Sequence, residues 1–106
     1  MNFCVKYSAI AKADINDIIN NIGVELSNPE AAKRFFNNVK KKENIISENP
    51  FIYPLHRNEK LHEKGYRFVA VGNYLVLYLV DEDKKIATIT RIIYGRRDIT
   101  SILNLD

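Results

Sequence analysis

The C-terminal half of this chain contains three strand-like runs joined by very short connections, and this spacing restricts the fold more than any other feature. The runs cover residues 66–71, 74–81 and 85–94 and are rich in β-branched and aromatic side chains. Gly72 and Asn73 separate the first two runs, and residues 81–84 separate the last two. Connections of this length are typical of β-hairpins. The sequence therefore predicts an antiparallel β-meander.

The N-terminal half predicts one strand followed by two helices. Residues 2–7 alternate apolar and polar side chains, as a half-buried strand does. Ser8 is a suitable N-cap for the next segment. In that segment aliphatic side chains recur at helical spacing, namely Ile15, Ile18, Ile19, Ile22 and Leu26. We expect a second helix with Asn28 as N-cap and Pro29 at its first position. It should stop at Asn49, because the residue before a proline disfavours helical dihedral angles.

The order of these elements indicates the fold class. Residues 49–65 contain two prolines and mixed charge without a period, which predicts a connecting loop. Strand, helix, helix and then a meander of strands is an α+β arrangement, here a single domain over residues 1–106. We expect the helices to pack on one face of a largely antiparallel sheet. The other face is then solvated or kept for a partner.

Composition narrows the classes of protein further. The chain has 106 residues, of which 46% are hydrophobic and 27% charged, as in an ordinary globular domain with one core. Its net charge of +3 is compatible with an anionic partner. Cys4 is the single cysteine, which excludes an internal disulfide and predicts a small buried side chain in a reducing compartment. We see no secretory leader and no apolar run long enough for a bilayer, so we expect a cytoplasmic protein without membrane contact.

Two groups of basic residues flank the meander. The first precedes or opens it and comprises His56, Arg57, Lys60, His62, Lys64 and Arg67, and the second comprises Arg91, Arg96 and Arg97. Antiparallel pairing is expected to bring them to one open side of the sheet, where arginines beside tyrosines suit nucleic acid. A solvated basic rim with half-buried tyrosines is the alternative. Arg91 interrupts an apolar strand, which predicts either an internal ion pair with Asp98 or Glu63 or an open concave surface.

The residues offer few routes to catalysis. His56 and His62 lack further metal ligands at suitable spacing, so we predict no metal and no cofactor. The chain has no nucleophile elbow, no phosphate-binding glycine loop and no paired-carboxylate signature. RNA cleavage is the reaction that remains accessible, because the 2′-hydroxyl is an internal nucleophile. Such an enzyme needs only a base, an acid and cations.

The segment "YRFVAVGNYLVLYLVDEDKKIATITRIIYGRRDITSIL", together with the two helices before it, resembles the RelE/ParE superfamily of toxins from type II toxin–antitoxin systems. The strand "NYLVLY" and the strand ending in "RIIYGRRD" are the most specific parts. The resemblance implies a sheet carrying a helical hairpin, and a cognate antitoxin that forms a hetero-oligomer with the toxin. RelE-like members cut mRNA in the ribosome, whereas ParE-like members inhibit DNA gyrase by binding it.

Matching individual positions favours the ParE-like branch. Leu75 stands where the ribonuclease branch often carries an arginine, and the end "ITSILNLD" has neither tyrosine nor histidine. If the chain is a ribonuclease, the resemblance assigns catalysis to Arg96 and Arg97, with Tyr94 or His62 transferring protons. The predicted contacts to the target or to nucleic acid are Arg67, Arg91, Arg96, Arg97, Tyr78 and Lys60. An inactive paralogue that only binds its antitoxin is the third possibility.

Overall fold

The computed structural model describes residues 2–95 and contains four strands and three α-helices within that range. In chain order these are β1 (Cys4–Tyr7), α1 (Ala9–Asn20), α2 (Pro29–Glu48), α3 (Glu59–Glu63), β2 (Arg67–Val71), β3 (Tyr74–Asp81) and β4 (Ile86–Tyr94). The last turn of the first helical segment is π-helical and covers Asn21–Glu25. No helix among these described residues is long and apolar enough to cross a membrane.

The sheet has the strand order β1-β4-β3-β2. The meander strands β2, β3 and β4 pair antiparallel, as predicted, and β1 pairs parallel to β4. The largely antiparallel α+β arrangement is therefore confirmed. Thr90 has no partner in β3, so the register shifts between the Tyr78–Ile89 pair and the Leu77–Arg91 pair.

Local capping explains where the two long helices begin. The Ser8 hydroxyl accepts a hydrogen bond from the Ala11 amide, and the Asn28 side chain accepts one from the Ala31 amide. Pro29 occupies the first turn of α2, where a missing amide hydrogen costs nothing. Asn49 leaves the helical region with an extended backbone, as expected of a residue before proline.

The core lies between the two long helices and one face of the sheet. Its buried side chains come from α1 (Ala11, Ile18), α2 (Phe35, Val39, Ile46) and the sheet (Val69, Val71, Val76, Tyr78, Ala87, Ile89, Ile92). They alternate along the strands, so their neighbours point to the second face. One face is thus covered by helices, as the sequence predicts.

The second face is not bare, which corrects the expectation that residues 49–65 are a plain loop. Asn58 caps the short helix α3, and Leu61 within it is fully buried. The His56 ring packs on the ring of Phe68, which lies on this second face, with centroids 4.9 Å apart. Leu77, the cross-strand partner of Phe68, is also fully buried. The segment before β2 therefore covers part of the sheet.

Cys4 was expected to be buried, and this prediction is wrong. Its side chain is exposed at the start of β1. β1 lies at the edge of the sheet. Successive side chains of a strand point to opposite faces of the sheet, so alternate residues of β1 face away from the helices. Cys4 pairs with Ile86 on that side of the sheet, whereas Val5 packs against the core.

Candidate functional site

The first and third strands of a meander run parallel, and this topology separates Arg67 from the end of β4. Arg67 opens β2 and pairs with Tyr78, which pairs with Ile89. Tyr94 ends β4 and lies in the row of Tyr74 and Val71. The two rows are four residue steps apart along β2, which corresponds to about 13 Å. Arg67 is therefore distant from the end of β4, whereas Arg91 lies in the row next to Arg67; Arg96 and Arg97, the other cations of the second group, lie outside the described residues.

Arg67 and Tyr78 are used internally at the first of these two ends. The Arg67 guanidinium donates a hydrogen bond from Nη1 to the Tyr53 carbonyl at 2.7 Å, and it lies 5.1 Å from the centroid of the Phe51 ring. Tyr78 is fully buried, and its hydroxyl donates to the Pro50 carbonyl at 2.6 Å. Burial raises the pKa of Tyr78 to about 12. Tyr78 is thus a core residue, and Arg67 holds the chain that leaves α2.

Arg91 forms an internal ion pair, and its partner among the described residues is Asp14. Its Nε donates to Asp14 Oδ2 at 2.8 Å and its Nη2 to Asp14 Oδ1 at 3.2 Å. The amide of Ile92 donates to the same Oδ2 at 2.9 Å. Glu63 is therefore not the partner, and Asp98 lies outside the described residues. Sequence reasoning missed Asp14, although its place between Ala11 and Ile18 on the apolar stripe of α1 was an available signal.

β1 is too short to pair with the whole of β4, and Asp14 helps to satisfy the backbone of β4 that β1 leaves unpaired. β1 pairs with β4 only as far as Ile89. Beyond that point the Ser8 hydroxyl donates to the Thr90 carbonyl, and Asp14 accepts from the Ile92 amide. Side chains of α1 and its N-cap thus replace strand pairing along the second half of β4.

A cleft, here called the β4 cleft, opens between α1 and the end of β4, with a volume of about 510 Å³. It is lined by Asp14, Asp17, Ile18, Asn21, Tyr74, Arg91, Ile92, Ile93 and Tyr94. The rings of Tyr74 and Tyr94 meet edge to face with centroids 5.7 Å apart. Tyr94 is 38% exposed, so part of its side chain remains accessible at the cleft. Arg96 and Arg97, which follow in sequence, lie outside the described residues.

The remaining predicted residues, Lys60 and His62, are exposed on α3. Neither makes a side-chain hydrogen bond or ion pair within residues 2–95. The other histidine, His56, accepts a hydrogen bond at Nδ1 from the Asn58 amide at 3.0 Å. Partial burial, helped by the charge of Arg57, lowers the pKa of His56. Over the described range no three His, Cys, Asp or Glu side chains come together as a metal site.

A second surface, which the sequence did not indicate, is a groove between α1 and α2 of about 300 Å³. We call it the hairpin groove; it is lined by Tyr7, Lys12, Ile15, Asn16, Phe36, Val39 and Lys40. Phe36, on α2, is 41% exposed in this groove. The lining is thus apolar with basic side chains at its border.

The hairpin groove keeps a net positive charge, because Lys40 and Glu43 compensate each other while Lys12 also lines the groove. Glu43 Oε1 accepts from the Tyr7 hydroxyl at 2.6 Å and from Lys40 Nζ at 3.2 Å. Burial and the Glu43 carboxylate raise the pKa of Tyr7 well above its usual value, so its hydroxyl stays protonated. Lys12 adds a further positive charge on α1. An acidic, partly apolar ligand would match this groove.

Comparison with known proteins gives a family and several structural neighbours. A family model described as the ParE toxin of the type II toxin–antitoxin system, parDE, matches residues 5–99. No curated protein sequence matches the chain significantly.

The structural neighbours share the fold at low sequence identity. A chain of the RelBE2 toxin–antitoxin complex from Mycobacterium tuberculosis is 19% identical with a TM-score of 0.63, over 89% of this chain and 99% of its own. A chain of a chromosomal ParDE system from P. aeruginosa is 20% identical with a TM-score of 0.65, over 87% and 95%. A chain of the archaeal RelE–RelB complex from Pyrococcus horikoshii OT3 is 16% identical with a TM-score of 0.58, over 92% and 100%.

Proposed function

Since this chain belongs to the ParE toxin family of type II toxin–antitoxin systems, we propose that it inhibits bacterial growth by binding DNA gyrase and that a cognate antitoxin neutralises it. The family match spans residues 5–99, whereas the structural neighbours include both RelE and ParE systems and so support only the fold. The choice of a ParE-like action therefore depends on the residues of this chain.

The engagement of Arg67 and Arg91 within the fold supports binding over RNA cleavage. Each guanidinium is held by a hydrogen bond shorter than 3 Å to an internal acceptor. Tyr78 is buried, and Leu75 replaces the arginine that the resemblance associates with the ribonuclease branch. Within residues 2–95, Arg91 does lie beside Asp17 and Tyr94 in the β4 cleft, but Asp14 already holds its guanidinium, so this is not a cluster of an acid, a base and a free cation. A ribonuclease needs such a cluster, but a protein that only binds its target does not.

The direct test is inhibition of gyrase by the purified protein. We expect loss of negative supercoiling of relaxed plasmid DNA when the protein is in molar excess over gyrase, and recovery when the antitoxin is added first. Unchanged supercoiling at high excess would exclude the proposal. In parallel, messages isolated after induction should remain intact; cleavage within codons would instead establish the RelE-like alternative. Normal growth on expression without antitoxin would indicate an inactive paralogue.

For the antitoxin, we assign the hairpin groove as its docking surface. The neighbours are toxins in complex with antitoxins, and this chain exposes Phe36 beside Lys12 and Lys40 in an open groove. Burying an aromatic side chain of this kind supplies apolar contact area, and the net positive charge that Lys12 gives the groove favours an acidic segment. The occupant is therefore an amphipathic, acidic segment of the antitoxin.

Two substitutions in the groove test this assignment. The double variant Lys12→Glu/Phe36→Asp should weaken binding of the antitoxin encoded next to this gene by at least about tenfold, because it reverses one charge and removes the aromatic contact. Both side chains are solvent-accessible, so the fold should be retained. Lys64→Glu, which makes the same charge reversal as Lys12→Glu but at the end of α3, serves as the control. If the antitoxin bound the double variant with wild-type affinity, the hairpin groove would not be its docking surface.

A further inference from the structure

The β4 cleft has a feature that none of the proposed contacts uses, namely an acidic and aromatic lining with an open mouth. Asp14 and Asp17 lie three residues apart on α1 and both line the cleft. The Asp14 carboxylate already accepts two hydrogen bonds from Arg91. Asp17 is exposed and has no ion-pair partner among residues 2–95. Among the described residues that line the cleft, carboxylates therefore exceed guanidinium groups by one.

The opposite wall of the cleft is aromatic. Tyr74 is packed between Phe35 and Tyr94, with ring centroids at 5.3 Å and 5.7 Å. Because both contacts are edge to face, the rings are held in fixed orientations. Tyr94 stands at the outer end of this row and is 38% exposed. Its π-face attracts cations, and arginine stacks on such faces more often than lysine does.

The lining of the cleft is mixed and includes aliphatic side chains beside the polar ones. Ile18 and Ile92 line it and are almost fully buried. A ligand that fits all three features has a cationic head for Asp17, a flat surface for Tyr94 and a hydrocarbon stem for the isoleucines. Arg91 already shows that this region binds a guanidinium through a carboxylate of α1. A phosphate or a nucleic-acid backbone is negatively charged, like the excess carboxylate, and is disfavoured.

We propose that the β4 cleft is a binding site for an arginine side chain of a partner protein, with Asp17 as the charged contact and Tyr94 as the stacking surface. The site is separate from the hairpin groove, which is lined by basic rather than acidic side chains. It does not depend on which target the toxin inhibits.

The experiment uses a small probe, so that it needs no knowledge of the partner. N-acetyl-arginine amide is titrated into the ¹⁵N-labelled full chain, and amide shifts are followed by NMR. We expect saturable shifts of Asp17, Asn21 and Tyr94 with a Kd on the order of 1–10 mM, which is reasonable for one charged side chain. The citrulline analogue has the same shape without the charge and should not bind. Equal shifts with citrulline, or shifts that map elsewhere, would overturn the proposal.

Variants separate the two contacts. Asp17→Asn should weaken binding of the arginine probe about tenfold, the value of a charge-assisted hydrogen bond. Tyr94→Leu should weaken it roughly threefold through loss of the π-face. Asp83→Asn removes one carboxylate from the exposed β3–β4 turn and should leave the Kd unchanged. A lysine analogue that binds as well as arginine, or an unchanged Kd in Asp17→Asn, would contradict the assignment.

Discussion

Removal of the Asp14 carboxylate is the perturbation that tests most directly how this fold is held together. Asp14 accepts three hydrogen bonds, two from Arg91 and one from the Ile92 amide. The side chains of Arg91 and Asp14 retain only 21% and 14% of their accessible surface. Asp14→Ala therefore leaves a largely buried guanidinium and a backbone amide without their acceptor, at the unpaired part of the β4 edge.

The expected loss of stability is large for a chain of this size. Breaking a buried pair by removing one partner costs roughly 3–5 kcal/mol. Because Arg91 keeps some contact with water, we expect about 3 kcal/mol for Asp14→Ala, at the lower end of that range. A domain of 106 residues has a total stability of about 5–15 kcal/mol. The substitution should lower the midpoint of thermal unfolding by about 12–20 °C.

The assay is urea unfolding followed by circular dichroism, since the chain has no tryptophan. Arg91→Met removes the charge but keeps most of the stem, and the double variant closes a thermodynamic cycle. We expect the double variant to be more stable than Asp14→Ala, because no unpaired charge is left. Asp17→Asn, one turn further along α1, should change stability by less than about 0.5 kcal/mol. A loss below about 1 kcal/mol in Asp14→Ala would refute the structural role of the pair.

Three further outcomes follow from the local geometry. The pKa of Tyr78 is raised from 10 to about 12. The stabilising effect of the protonated hydroxyl is therefore complete below pH 10 and is lost as pH rises through about 12. Urea unfolding at pH 9–12 should show a smaller alkaline loss of stability in Tyr78→Phe than in the wild type. Ser8→Ala removes both the cap of α1 and the bond to the Thr90 carbonyl, so it should cost about 1–2 kcal/mol in the same assay at pH 7. The NMR titration of the His56 ring should give a pKa below 6.5, because burial disfavours its cation; a value above 6.5 would contradict this environment.

The meander could be predicted because its evidence is local. Gly72 and Asn73 leave no room for anything except a hairpin, and the runs of β-branched residues fix which segments pair. The starts of α1 and α2 follow from Ser8 and Asn28 for the same reason, since a cap acts on an amide three residues away. Each of these predictions depends on residues that are close in sequence.

Long-range pairings were harder to predict, because the sequence does not state which distant residues meet. Asp14 and Arg91 are 77 positions apart. Each is a charged residue within an otherwise apolar pattern, and only the folded structure shows that the two pair with each other. α3 has a good N-cap in Asn58, but its five residues are too few to show a period. The separation of Arg67 from the end of β4 was different. It follows from strand direction alone and could have been deduced from the predicted meander.

The internal engagement of Arg67 and Arg91 also bears on how a toxin of this family can act. A ribonuclease would have to withdraw either guanidinium from its present acceptor before it could contact a phosphate. Hydrogen bonds to charged groups contribute roughly 1.5–3 kcal/mol each, and that amount would be lost from the binding of RNA. Lys12 and Lys40 are exposed, so a ligand could contact them without breaking a buried hydrogen bond. They lie on the helical hairpin rather than on the sheet. Of these four cations, Arg67 and Arg91 on the sheet therefore stabilise the fold, whereas Lys12 and Lys40 remain accessible for the docking that we propose.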